Sequence, residues 1–440
     1  MKRLVIAATA IAIVIVIAPA RGQTLDARRT AMGGVVLPGG GPSGQASNVA
    51  YRAVPNGPGH SSGLPLPIGL IPLVSNPPAL DPNDPGFNVY ELANTLYNPP
   101  WNLQLVTPNP PSNDVVVTLG RDHLAVDLGE VGDVFPANGT RFGSVSQLPA
   151  LGFGVRHFFV GLSALAQYQN DLRLNDALHG ALANGDEFRT QTEYALYDDA
   201  SGQAAAALQL GWAGAVMRSS QSDDAPNALY AGARSKVLRG LAYADAHNQV
   251  SFTTSDTLFG SSAVDLNYTG LIHDAGPAGG GWGQGFDLGM VWMTHGIELG
   301  VGVNDIATRI NWKVRESVAR RDSVTGEYSQ ETVREDEPWT SEIAPTVTVN
   351  AARRFGSILV AADVTHHDQD TQSHLGLERW WGPIALRTGA GLDPNHLVQY
   401  GGGLGARLGR FGVDVALATN SRNLTRERGL ELGAGFSFYH

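Results

Sequence analysis

The densest run of metal-ligating side chains is His366-His367-Asp368-Gln369-Asp370, with His374 close behind. Imidazole and carboxylate together suit a divalent cation. Adjacent residues of an extended chain point apart, so His366 and His367 cannot easily close on one ion. The run reads as a solvated loop, and no metal is expected. Gly403-Leu404-Gly405 with Gly409 hints at a dinucleotide loop, but the glycine spacing is wrong and no helical pattern follows. No nucleophile elbow, zinc-protease helix or Walker loop is present. A second set is scattered: Asp287, Glu298, Asp363, Asp414 and Glu431, with Arg387 and Arg407. Paired carboxylates can do acid–base work. Each of these, however, is the isolated charge on one face of an alternating segment, where charges serve more often to pair with one another. Neither an enzyme nor a cofactor is expected.

The elements that carry these charges are β-strands. Leu430, Leu432, Ala434, Phe436 and Phe438 fall on one face, with Glu431, Gly433, Gly435 and Ser437 on the other. Phe286, Leu288, Met290 and Trp292 alternate with Asp287, Gly289 and Val291, and Ile297, Leu299, Val301 and Val303 with Glu298, Gly300 and Gly302. The pattern returns around Asp363, Arg387, Arg407 and Asp414. Period-two alternation makes one face apolar. A soluble sandwich would charge the opposite face heavily. Here it is mostly Gly and Ala, which suits a crowded barrel interior whose contents pack close to the wall. The seven charges named above would line that lumen.

Composition agrees. Of 440 residues, 54 are Gly, 25 are Pro and none is Cys, and only 16% are charged, against roughly 25% in ordinary soluble domains. The absence of Cys excludes disulfides, thiolate metal sites and a cysteine nucleophile. A net charge of −11 with three Lys argues against nucleic acid as a partner. Residues 1–22 read as a cleaved secretory signal: a Met1-Lys2-Arg3 start, an apolar run from Leu4 to Ala20, and the small residues Ala20 and Gly22 flanking Arg21. No later apolar run is long enough for a membrane helix. An exported chain with membrane-length alternating segments is expected in the outer membrane of a Gram-negative-type bacterium, in contact with its lipid.

The fold expected is all-β: a transmembrane antiparallel β-barrel of about 14 strands (range ~12–16) over 114–440, with residues 115–128 as the first hairpin. Short breaks at Arg354-Phe355-Gly356, Trp381-Gly382-Pro383 and Gly409-Arg410 would alternate with polar loops at Val314–Trp339, His366–Gln372 and Thr419–Gly429. Trp292, Trp312, Trp339, Trp380 and Trp381 would form an interfacial girdle. Residues 23–113 differ, with 16 of the 25 prolines between Val36 and Asn113. Proline cannot donate to a central ladder, so this part is expected outside the wall, either as a plug in the lumen or as a periplasmic extension. Apolar patches such as Leu64–Leu73 favour the plug. Asn88–Leu96 could form a short helix.

Asp26-Ala27-Arg28-Arg29-Thr30-Ala31-Met32-Gly33-Gly34 resembles the mature N-terminus of the fatty-acid-transporter-like (FadL-type) outer-membrane barrels, including the PorV-like and conjugal-transfer TraF-like groups. Gly285-Phe286-Asp287-Leu288-Gly289, Gly296–Gly300 and Asn304 with Asn311-Trp312 resemble their central strands. Ala361–Val364, His374–Glu378 and Ala385–Gly389 resemble their C-terminal run, and a last strand ending in aromatics resembles a barrel assembly signal. The likeness covers roughly 25–34 and 150–440. It implies an N-terminal hatch bearing Arg28, Met32, Gly33 and Gly34. It also implies either passage of hydrophobic or amphipathic small molecules, or a non-transporting role as anchor or accessory for a secretion or surface-assembly partner.

Overall fold

The structure is a computed structural model. It describes residues 26–39, 42–55, 61–65, 103–104, 116–119, 124–127, 139–147, 151–219, 227–258, 264–321, 328–392, 398–419 and 430–439. The expected signal segment, the helix at Asn88–Leu96 and most of Leu64–Leu73 lie outside the described residues.

Twenty strands follow two short N-terminal helices, α1 (Ala27–Ala31) and α2 (Pro42–Ser47), and a 3-10 turn at Val49–Arg52. They are β1 (Ser61–Pro65), β2 (Leu103–Gln104), β3 (Val116–Leu119), β4 (Leu124–Asp127), β5 (Thr140–Gln147), β6 (Leu151–Val155) and β7 (Phe158–Leu174). After α3 (Asp176–Ala183) come β8 (Glu193–Arg218), β9 (Ala228–Thr254), β10 (Val264–Ala275), β11 (Gly280–Thr294) and β12 (Ile297–Arg321). Then come β13 (Tyr328–Ile343), β14 (Thr346–Phe355), β15 (Ile358–His367), β16 (Asp370–Trp381), β17 (Ile384–Leu392), β18 (Val398–Leu408), β19 (Phe411–Thr419) and β20 (Leu430–Tyr439).

Several consecutive strands lie end to end against one neighbour. β10 and β11 both pair with β9 and with β12. β13 and β14 both pair with β12, and β5 and β6 both pair with β7. β1 and β2 both pair with β20. The breaks contain Gly276-Pro277, Ala344-Pro345 and Pro149, where a ladder donor is missing. Among the described residues the staves are therefore β5–β6, β7, β8, β9, β10–β11, β12, β13–β14, β15, β16, β17, β18, β19, β20 and β1–β2, fourteen in all. Their directions alternate throughout.

The sheet is curled into a barrel. Residues 27–54 touch β7 through Phe159, β14 through Asn350, β16 through Glu378 and β20 through α1. One short segment thus packs on the same face of staves from β7 round to β20, which lie about it on several sides. The inner face carries small and polar residues, while Phe286, Leu288, Met290 and Trp292 of β11 and Leu386, Leu404, Val413 and Val415 beyond it are exposed on the outer face. From Trp282 to Trp292 the outward side of β11 spans ten residue steps, about 34 Å along the strand. At a tilt near 40° that is about 26 Å across the bilayer, the height of an outer-membrane barrel's apolar band. Among the described residues no helix is long and apolar enough to cross a membrane.

Tight two-residue turns close one end. His295-Gly296, with φ of 48° and 74°, has the doubly left-handed conformation that joins twisted antiparallel strands. Gly356, Gly382 and Gly409 take positive φ at the first central position of their turns.

Five expectations are corrected. Residues 116–127 do form a hairpin, but β3 and β4 make a separate two-stranded sheet, tied by a bridge from Ala125 to Glu187 and not part of the wall ladders. Part of the proline-rich stretch does join the wall, as β1, with Pro65 at the strand end where its missing donor costs least. Most of Val314–Trp339 is strand, with only 322–327 between β12 and β13. Charges sit on both faces there because these strands run on beyond the apolar band. His366–Gln372 is a tight turn about Asp368, whose φ is 54°, not an extended loop. Trp292, Trp381 and the unanticipated Trp282 are exposed outside, but Trp312 is buried in the lumen with Trp339 packed against it, so the girdle is smaller than expected.

Candidate lumenal site

The inward residues of the wall and residues 26–54 form one buried polar system. α1 is set by Asp26, whose side chain accepts from Arg28 N at 2.9 Å. Burial pushes the Asp26 carboxyl above its ordinary range, against the pull of Arg28. Arg28 meets Glu378 of β16 in a fork: Nε donates to Oε2 at 2.7 Å and Nη2 to Oε1 at 2.8 Å. Arg387, directly across from Glu378 on β17, donates to the same carboxylate at 2.8 Å and to Asp414 of β19 at 2.5 Å. Four charges thus neutralise one another away from water. Such a knot is costly to break one-sidedly, because a lone buried charge remains.

A second knot lies two strands back. Val36 N donates to Asp363 Oδ2 at 2.6 Å, and His374 Nδ1 lies 2.8 Å from Asp363 Oδ1. The His374 ring therefore turns into the lumen, away from His366 and His367, which meet Thr371 and Thr346 instead. At the third knot, Glu298 of β12 accepts from Tyr51 Oη at 2.6 Å and Gly39 N at 3.0 Å, and Asn350 Nδ2 donates to Tyr51 Oη at 2.5 Å. Burial, together with the Glu298 carboxylate, holds the Tyr51 hydroxyl far above its usual pKa. Asn304 of β12 donates to the carbonyls of Ala46 and Ser47, and Asn48 donates to Met290 O.

Asp287 belongs to a fourth knot, within the wall. It takes Arg234 at 2.6 Å and Lys236 at 2.7 Å, and Lys236 also meets Asp305 at 2.5 Å. Asp305 and Ala307 have φ of 61° and 49°, so this knot pins an irregularity where β12 passes from β14 to β13.

Glycine makes room for the segment. A Cβ on Gly389 would strike the Met32 backbone, one on Gly401 the Thr30 carbonyl, and one on Gly302 the Ser47 carbonyl. Met32 is fully buried against Leu37, Ala352, Leu359 and Ala361. Gly33 and Gly34, at φ of 71° and 91°, turn the chain against Ala390 and His374.

Of the expected lumen residues, Asp287, Glu298, Asp363, Arg387 and Asp414 are all buried on the inner face. Arg407 instead sits near the turn, with Nε donating to Gly409 O at 3.0 Å. Glu431 is on β20, opposite Ala418 and Gln104, and its side chain lies outside the described residues. Sequence reasoning missed Glu378 as a charge partner, along with Arg234, Lys236, Asp305, Asn304, Asn350 and Tyr51. Glu378 was detectable, because it shares parity with Gly376 on the inner face of β16.

Above residues 26–54 the lumen changes character. Trp312, Tyr243, Ile310, Leu238, Leu165 and Ile343 are buried together, with Trp339 against them. Trp312 Nε1 donates to Ser341 Oγ at 2.8 Å, Trp339 Nε1 to Tyr243 Oη at 2.7 Å, and Ser341 Oγ to Gln203 Oε1 at 2.5 Å. These contacts join β8 and β9 to β13 across the interior.

Outward apolar staves, a polar core and short turns at one end define an outer-membrane β-barrel. Within that class the chain belongs to a family of unknown function, DUF5723, which is matched over residues 136–372, just over half of the chain. No curated protein matches. Similar solved structures include the CymD monoaromatic hydrocarbon channel (12% identity, 69% of this chain and 87% of that one, TM-score 0.34). They also include the toluene transporter TbuX of Ralstonia pickettii (14%, 76% and 100%, TM-score 0.30). A third is the toluene transporter TodX of Pseudomonas putida (12%, 76% and 98%, TM-score 0.28).

Proposed function

We propose that this is a FadL-type barrel that passes hydrophobic or amphipathic small molecules across the outer membrane, with residues 26–54 as a displaceable plug. One observation carries the reading. The segment is held to wall carboxylates by side-chain and single backbone hydrogen bonds, with no strand ladder to unzip. Its withdrawal leaves the wall's own ladders intact. The aromatic surface above it, with Trp312, Trp339 and Tyr243, suits an apolar solute that must shed water. Residues 1–22 would be removed on export.

The chain's lack of cysteine allows a clean test. Ala31 and Ala416 share a buried cluster. A31C/A416C in an otherwise Cys-free barrel locks the segment when oxidised and frees it when reduced. Uptake of a hydrophobic probe into vesicles should stop on oxidation and return on reduction. Equal uptake in both states, with the bond verified, overturns the proposal.

A further inference from the structure

Among the described residues, the short-turn end carries arginine without outward carboxylates. Arg156, Arg218, Arg353, Arg354, Arg379 and Arg410 are exposed there. Among the described residues, none of Arg353, Arg354, Arg379 and Arg410 has a carboxylate within ion-pair distance. Among the described residues the acids nearest this rim, Glu298, Glu378 and Asp414, are buried on the inner face. The opposite end is rich in acid, with Asp198, Asp199, Asp245, Glu331, Glu335, Asp336 and Glu337.

Two of these arginines stand on the lipid-facing side. Outward parity on β14 runs through Val349, Arg353 and Phe355, and on β16 through Leu375, Leu377, Arg379 and Trp381. Each guanidinium is laid over its neighbour's ring: Arg353 is 4.7 Å from the centre of Phe355 and Arg379 is 4.5 Å from that of Trp381. Stacking orients a flat cation while leaving its N–H edge open. β15 lies between them, and Arg353 is opposite Val360 while Arg379 is opposite Ile358. Two strand spacings and one two-residue step put the two Cα atoms about 12 Å apart, with Ile358 and Val360 between. A cation at a hydrocarbon boundary with no protein anion needs one from the solvent phase.

We infer that Arg353 and Arg379, each stacked on an aromatic ring, with Ile358 and Val360 between them, form a site for the phosphate headgroup of an anionic phospholipid in the periplasmic leaflet. The guanidinium edges take the phosphate oxygens as charge-assisted hydrogen bonds, and the acyl chain lies over the apolar floor. Short turns face the periplasm in outer-membrane barrels, so this rim meets the phospholipid leaflet. Arg354 and Arg410 add general attraction.

The test uses the full folded barrel in mixed micelles, with native mass spectrometry counting bound phosphatidylglycerol against phosphatidylcholine. The wild type should retain phosphatidylglycerol preferentially. R353Q/R379Q should reduce that preference by about fivefold per guanidinium, about 25-fold in all. R334Q, which removes a single guanidinium at the far end, should leave it unchanged, and heat-modifiable migration reports that each variant is folded. An unchanged preference in folded R353Q/R379Q overturns the site, as does an equal loss in R334Q. Release of phosphatidylglycerol by millimolar inorganic phosphate at constant ionic strength would overturn the lipid as occupant, because the headgroup alone would then suffice.

Discussion

Placing a single methyl group on each of two neighbouring glycines should eject the lumenal segment without harming the barrel. Gly389 and Gly401 are cross-strand partners on β17 and β18. A Cβ on either would run into backbone atoms of residues 30–33, and backbone cannot step aside as a side-chain tip can. Overpacking costs about 1–3 kcal/mol per site. The two sites press on one turn of chain, so their costs overlap, and about 2–4 kcal/mol is a fair total for G389A/G401A. At 1.4 kcal/mol per decade that raises the undocked fraction about 30- to 1000-fold. The wall should not suffer, because Ala is slightly better than Gly inside a strand. Trypsin cleavage at Arg28 and Arg29 reads the undocked fraction in the folded, detergent-solubilised protein, and should accelerate by that factor while heat-modifiable migration is retained. G402A is the control, since a Cβ there meets nothing within 4 Å. Unchanged cleavage in a folded G389A/G401A barrel, or equal acceleration in G402A, would refute the reasoning.

Leu288 lies mid-band on the outer face, so L288R should destabilise the barrel by about 2–4 kcal/mol in denaturant unfolding from vesicles. Y51F removes one of the two donors on Glu298 and should weaken docking by about 1–3 kcal/mol, seen as faster trypsin cleavage. Because the docked Tyr51 hydroxyl is held above the ordinary tyrosine value of 10.0, its contribution is complete below pH 10 and fades as pH rises past it. Wild-type cleavage corrected for trypsin's own profile should therefore rise in that range, and Y51F should lack the rise. Asp26 is raised above 3.8 by burial, so its contribution is greatest near or below pH 4 and is lost as pH climbs through the docked value. D26N keeps the helix cap and should hold the segment more tightly at pH 7, with slower cleavage than wild type.

The wall was legible because lipid imposes a rule on every second residue. Asp287, Glu298, Asp363, Arg387 and Asp414 all follow from parity alone. Parity failed where its physical cause ended. On β12 and β13 past Trp312 no lipid selects one face, so charges on both sides resemble a loop although the backbone remains strand. Trp312 was misplaced for a related reason, since a tryptophan at a boundary and one in the lumen have the same local sequence. Tyr51 and Val36 had no periodic signal. Their positions follow from contacts with strands 247 to 327 residues away, which no local pattern encodes. The glycines hinted at tight contents behind the wall but could not identify them.

The most direct test labels β11 one residue at a time, from Gly285 to Val291, with a nitroxide in the Cys-free chain. Collision with oxygen and with a water-soluble nickel chelate is then measured in vesicles, with and without residues 26–54. The account predicts oxygen maxima at Phe286, Leu288 and Met290 in both proteins. It predicts nickel access at Asp287 and Val291 only once the segment is deleted; Gly289, where a label would itself strike Asn48 and Ala50, is labelled only in the deleted protein. Oxygen access without a two-residue period, or nickel access at Asp287 or Val291 of the intact chain, would contradict it.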